Sequence, residues 1–193
     1  MLRILVLQAH PDGQERHLCH ALADAYAEGA SAGGHEVRRL DVASLEFPVL
    51  RSPEDYLHGE IPPGLTSAWE DIAWAQHLVF VFPLWLGTMP AMLKAFLEQV
   101  ARPGKAYAAE QKGFPRKLLT GRSARLIVTM GMPAFFYRFW FRAHGLRGLE
   151  RSILNFVGIA PCRESLFGMV DGVSESRRQK WFNVLRKLGA AAK

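Results

Sequence analysis

Two hydrophobic rhythms alternate along the chain. Short apolar runs of strand length are followed by stretches whose apolar residues recur every three or four positions. Residues 2–7 read as a buried strand, and Asp12 as the cap of a helix with Leu18, Leu22, Ala25 and Gly29 on its apolar face. Gly33-Gly34 ends that helix. Residues 36–40 form a second strand with Val37 and Leu40 inward, and residues 42–66 a long connection rich in Pro, Ser and Glu. Thr66 or Ser67 caps a helix running through Ala75. A third strand, 78–82, enters the loop 83–90, from which a helix runs from Met89 to about Val100. After an irregular segment at 101–121, a fourth strand spans 123–130. An aromatic, Arg-rich stretch fills 131–148, a helix 149–157 ends at Gly158, a fifth strand covers 161–169, and a helix over 175–188 closes the series.

Strand and helix in alternation predict one α/β domain across 1–193: a three-layer sandwich with helices on both faces of a five-stranded parallel sheet. The expected strand order is 2-1-3-4-5, and its switch point lies between strands one and three. In such sheets ligands bind at the carboxyl ends of the strands, so the informative loops are those at 8–17, 83–90 and 129–137. The middle one is unusual. It reads Pro-Leu-Trp-Leu-Gly-Thr-Met-Pro, with a single hydroxyl and no charge. An apolar loop at a strand end suits a flat, greasy ligand or a partner surface.

Composition narrows the classes. The chain has 193 residues, 49% hydrophobic and 22% charged, with a formal net charge of +6. The basic residues are spread out, with the densest cluster at Arg177, Arg178 and Lys180, so no nucleic-acid partner is expected. The positive balance suits an anionic small molecule or peripheral contact with an acidic membrane surface. Cys19 and Cys162, far apart and outside any metal spacing, point to a reducing, cytoplasmic setting and to no metal site. No uncharged stretch reaches bilayer length. A G-x-G-x-x-G after the first strand and a G-x-x-x-x-G-K-[ST] are both absent. The ends of strands one and three carry no acidic residues, which removes a response-regulator phosphorylation site.

The three strand-end loops carry a resemblance. Strand one ends in Ala9-His10-Pro11. Strand three ends in Phe82-Pro83-Leu84-Trp85, with Gly87, Pro90 and Leu93-Lys94 following. Strand four ends in Thr129-Met130-Gly131, followed by Tyr137 and His144-Gly145. In this order the motifs resemble the NAD(P)H:quinone oxidoreductase family of the flavodoxin-like fold. That resemblance implies a flavin, FAD before FMN, and NAD(P)H as co-substrate. It further implies two-electron reduction of quinone-like small molecules by a ping-pong mechanism, in a homodimer. A regulatory flavin subunit of a membrane transporter is the alternative, docking through the aromatic–Arg segment 135–147. A flavodoxin-like electron carrier is a third reading, although such carriers are typically acidic.

The candidate cofactor contacts follow from the same loops. Residues 12–19 hold no hydroxyl, unlike the family's first loop, so His10, Arg16 and His17 are the expected phosphate contacts at the helix N-terminus. Pro83, Leu84, Trp85, Leu86 and Gly87 are expected to wall the isoalloxazine ring. The backbones of Thr129, Met130 and Gly131 are expected to donate to its polar edge, Gly131 because it lacks a Cβ. Tyr137 and His144 are the candidate catalytic pair, stabilising charge that develops on the reduced ring, although their spacing is one residue longer than in mammalian-type members. The run 135–141 is expected to be a hydrophobic dimer surface.

Overall fold

The computed structural model describes residues 1–108, 110 and 113–193. Five strands build the main sheet: β1 (Arg3–Gln8), β2 (Glu36–Asp41), β3 (His77–Pro83), β6 (Arg122–Met130) and β7 (Ile159–Gly168). Their order is β2-β1-β3-β6-β7, all parallel, which is the expected 2-1-3-4-5 arrangement. Between β3 and β6 lies a small antiparallel pair, β4 (Tyr107–Ala108) with β5 (Arg116–Lys117).

Alternation along each strand decides which helix it meets. Ile4, Val6, Val79, Val81 and Ile127 face α1 (Leu18–Ala32) and α8 (Glu175–Ala190). Leu5, Leu7, Leu78, Phe80, Phe82, Leu126 and Val128 face the opposite layer. That layer holds α3 (Thr66–Trp74), α4 (Ala91–Val100) and the helices after β6. The latter are α5 (Ala134–Phe139), α6 (His144–Gly148), a π-helical stretch Leu149–Leu154, and α7 (Asn155–Val157), which Gly158 ends at φ +108°. Central strands buried on both faces explain why their sequences are near-continuous apolar runs.

Several boundaries differ from the sequence expectation: α4 begins at Ala91, β7 at Ile159, and Leu65 holds the N-cap position of α3 without a side-chain cap. Helix α1 begins at Leu18 with His17 at its N-cap, not at Asp12. Pro11-Asp12-Gly13 turns the chain, and the Asp12 carboxylate accepts the Gln14 N–H at 2.8 Å. The long connection 42–66 contains α2 (Pro53–His58), whose Ser52 hydroxyl accepts the Asp55 N–H at 3.1 Å. The letters G-x-S-x-G occur at Gly29, Ser31 and Gly33, inside and at the end of α1, not on the strand-to-helix turn that a nucleophile elbow needs.

Close packing of α1 on α8 depends on glycine. A Cβ at Gly189 would lie 2.2 Å from the Tyr26 carbonyl oxygen, and one at Gly29 would lie 2.1 Å from that of Arg186. Backbone cannot yield as a side chain does, so the helices would have to separate. Gly189→Ala is expected to destabilise the fold by about 1–3 kcal/mol, the usual cost of overpacking. Denaturant unfolding checks this; an unchanged midpoint would contradict it.

Candidate active site

Strands β1, β3 and β6 are neighbours, so the loops leaving their carboxyl ends converge. Between them lies a cleft of about 390 Å³. His10, His17, Leu18 and Cys19 line one end. Pro83, Leu84 and Trp85 line one side, Thr129, Met130 and Gly131 the other, and Val170 and Asp171 close it.

The first end combines a helix N-terminus with imidazoles. His10 stacks on His17 with ring centroids 3.8 Å apart, and His20 lies 6.0 Å from each. His10 Nδ1 accepts the Asp12 N–H at 3.2 Å, and His20 Nδ1 accepts the His17 N–H at 3.0 Å. Nε2 of His17 is 2.7 Å from Asp12 Oδ2, and this hydrogen bond, with the Gln14 amide, holds the Asp12 carboxyl below its ordinary range. Burial and the neighbouring His17 and His20 lower the pKa of His10. Among the described residues the N–H groups of Leu18 and Cys19, at the start of α1, have no backbone acceptor, and they stand at this end, which suits an anion.

The loop after β3 is a tight two-residue turn. Trp85 and Thr88 exchange reciprocal backbone bonds of 3.0 Å. Leu86 and Gly87 stand between them at φ +49° and +79°, the conformation of a type I′ turn. The Leu84 N–H donates to Thr129 O at 2.7 Å, so the loop is bound to the end of β6. Among the described residues the N–H groups of Leu86, Gly87 and Gly131 have no backbone acceptor. Trp85 is half exposed and meets His10 edge-on at 6.0 Å.

Cys19 forms part of the floor. Its Sγ lies 3.2 Å from Thr129 Oγ1, and burial pushes the thiol up to about 11. It therefore packs as a neutral group and is not an activated nucleophile.

Five of the expected site residues are placed elsewhere. Arg16 is exposed, pairs with Asp24 and lies outside the cleft lining. Leu86 projects fully into solvent, because the turn directs its side chain outward, and Gly87 supplies conformation and backbone at the turn without lining the cleft. Tyr137 is buried, and its O–H donates to Gly87 O at 2.9 Å. It braces the loop after β3, and its burial raises its pKa. His144 is exposed and lies outside the lining. Its neighbour Gly145 packs directly under the turn, where an added Cβ would lie 2.2 Å from Gly87 O.

Leu18, Cys19, Val170 and Asp171 line the cleft although the sequence did not mark them as site residues. Asp171 follows the end of β7, and the rule that ligands gather at strand ends pointed to that loop too. Beside this cleft, sharing His17, Leu18 and Val170 with it, a second groove of about 390 Å³ is lined by Arg16, Ala21, Glu175, Arg178 and Phe182.

A protein-family model described as the flavodoxin-like fold matches residues 2–188. The chain belongs to this family. Among curated relatives, an FMN-dependent NADH:quinone oxidoreductase of Nitratidesulfovibrio vulgaris is 30% identical over 137 residues, covering 63% of this chain and 65% of that protein. The matched part thus spans a little under two thirds of that relative's length. An uncharacterized NAD(P)H oxidoreductase of Haemophilus influenzae is 26% identical over 179 residues, covering 91% of this chain and 88% of that one. Among solved structures, the NAD(P)H:quinone oxidoreductase of Methanothermobacter marburgensis superposes with a TM-score of 0.82 at 23% identity, covering 100% and 99% of the two chains. An FMN-dependent NADH-azoreductase of Bacillus anthracis in complex with FMN gives 0.77 at 15%, covering 99% of each. At such identities these two structures speak for the fold alone. The relatives named for a flavin are named for FMN, so the expectation of FAD before FMN finds no support among them.

Proposed function

We propose that the protein is a flavin-dependent NAD(P)H oxidoreductase acting on quinones or related acceptors. One observation carries the reading: a cleft that joins a helix N-terminus ringed by imidazoles to an apolar wall and to amides free of backbone acceptors. Those are the three demands of a flavin mononucleotide unit, whose phosphate, flat ring and polar pyrimidine edge differ in chemistry. His10, His17 and the first amides of α1 hold the phosphate. Leu84 and Trp85 support the ring, and Gly131 lets backbone approach its edge. A flavin held there supplies a two-electron carrier between a nicotinamide and a quinone. The same open face beside Trp85 receives donor and acceptor in turn, which makes the kinetics ping-pong. Tyr137 and Gly145 position the loop without touching the reacting atoms.

FMN is the flavin that the relatives' names favour. FAD is a second reading, favoured by the groove along Arg16, Glu175 and Arg178, which adjoins the phosphate end and has room for a further nucleotide half. Release of the flavin by heat, followed by chromatography, separates the two.

Gly131→Val tests the ring end. Its Cβ would already lie 3.2 Å from Asp171 Oδ2, and the added methyls would reach into the cleft. Flavin affinity is expected to fall roughly tenfold, the equivalent of one or two hydrogen bonds, with the fold intact. Unchanged affinity would contradict this placement.

A homodimer belongs to the proposal. A groove of about 540 Å³ between α4 and α7, walled by Leu50, Tyr56, Leu97, Ile153 and Phe156 and edged by Arg51, Lys94 and Glu98, supports it. Light scattering checks the oligomer. A cytoplasmic location is also part of the reading, supported by two free thiols; among the described residues no helix is long and apolar enough to cross a membrane. The test of the activity is steady-state oxidation of NADH and NADPH with a water-soluble quinone. Parallel double-reciprocal lines are expected. A protein that binds flavin but turns over neither donor would favour the regulatory reading.

A further inference from the structure

The segment after β6 leaves a patch that the fold does not consume. Tyr137 alone of its aromatic run is buried. Phe135, Phe139 and Trp140 are 67%, 76% and 74% exposed, and Phe136 and Phe141 are 40% and 45% exposed. These rings are ordered against one another: Phe136 stacks on Trp140 at 5.8 Å and meets Phe141 edge-on at 5.6 Å. The patch is tied to the cleft. Through the Tyr137 bond to Gly87 it abuts the turn from which Leu86 projects into solvent. Exposed aromatics on this scale mark an interaction surface.

Charge selects the partner. Arg138 pairs with Glu164. Arg142, Arg147 and Arg151 are exposed, and among the described residues they have no acidic partner within ion-pair distance. An isologous contact centred on the patch would set these arginines near their own copies, with Glu164 already committed and Glu150 the one further acid of the segment. Clustered Phe and Trp beside unpaired Arg match the chemistry of a membrane interface, where rings lie at headgroup level and guanidinium groups meet phosphate.

We propose that residues 135–142, with Leu86 and the following arginines, dock the protein on the surface of an anionic lipid bilayer. The six-residue α5 cannot span a membrane, so contact is peripheral. If the proposed quinone chemistry holds, docking sets the cleft beside the phase into which apolar quinones partition. The docking itself does not rest on that reading.

Vesicle flotation of the flavin-loaded protein tests it, using vesicles of phosphatidylglycerol with phosphatidylcholine against phosphatidylcholine alone. Binding is expected to the anionic vesicles only, weakening as salt is raised. Arg142→Ala with Arg147→Ala should weaken it roughly twenty-five-fold, about fivefold for each arginine. Phe139→Ser with Trp140→Ser should abolish it. Turnover with a water-soluble quinone should be unchanged in both variants, since neither pair lines the cleft. Absence of flotation, or flotation indifferent to both variants, would overturn the proposal. So would a loss of dimer in the aromatic variant without vesicle binding by the wild type, which would make the patch a subunit interface. Lack of turnover in the wild type would count against the enzymatic reading and leave the vesicle result standing.

Discussion

Gly145→Ala is expected to weaken flavin binding on the order of ten- to a hundredfold while leaving the sheet intact. The added Cβ would lie 2.2 Å from Gly87 O, 2.7 Å from Thr88 Cα and 2.9 Å from Thr88 Cβ. All three atoms belong to the turn between Trp85 and Thr88. None sits at the far end of a flexible side chain, so the turn itself must move. Its movement carries away the free amides of Leu86 and Gly87 and breaks the 2.9 Å bond from Tyr137. Two amide contacts are worth about 1–3 kcal/mol, which sets the expected range. Tyr137→Phe is the milder companion: it removes only the hydroxyl, and its effect should be the smaller. Fluorescence titration measures both affinities, and circular dichroism confirms the fold. Full affinity in Gly145→Ala would show that the turn does not hold the ring.

A second large effect concerns acid stability. His77, at the start of β3, is buried and stacks on Tyr26 with centroids 6.3 Å apart. Its Nδ1 lies 2.7 Å from Ser123 Oγ, while Nε2 has no partner among the described residues. Burial first, and then the positive charges of Arg125 and Arg163, push its pKa from 6.5 down to about 4. The unfolded chain therefore takes up a proton below pH 6.5 that the folded chain refuses until about pH 4. Stability from this group is complete above 6.5, declines as the pH falls through that window, and levels off below it. The move corresponds to roughly 3 kcal/mol. His10, lowered in the same direction, adds to the decline. His77→Gln should flatten the loss in urea unfolding between neutral pH and pH 4; an equal loss in both proteins would place its origin elsewhere.

The fold was legible because its central strands are buried on both faces and so stand out as unbroken apolar runs, separated by helical periods. The cleft was legible in part for the same reason. A parallel sheet gathers its strand-end loops, and His10, His17, Pro83, Leu84, Trp85, Thr129, Met130 and Gly131 all line the cleft. What escaped depends on side-chain direction, which spacing does not encode. Asp12 has the chemistry of an N-cap, but the turn at Pro11-Asp12-Gly13 spends its carboxylate on Gln14 and His17. Arg16 is one residue from His17 of the cleft and is captured by Asp24, nearly two turns into α1. In the run 135–141 every residue but Arg138 is aromatic, so the pattern cannot say which ring turns inward. The inward one is Tyr137, because only it reaches Gly87.

The most direct measurement is an equilibrium titration of the flavin-free protein with FMN and, separately, with FAD, followed by quenching of flavin fluorescence. Saturable binding of one flavin per chain, weakened by Gly131→Val and Gly145→Ala, is the predicted result. Failure of both flavins to bind would contradict the account.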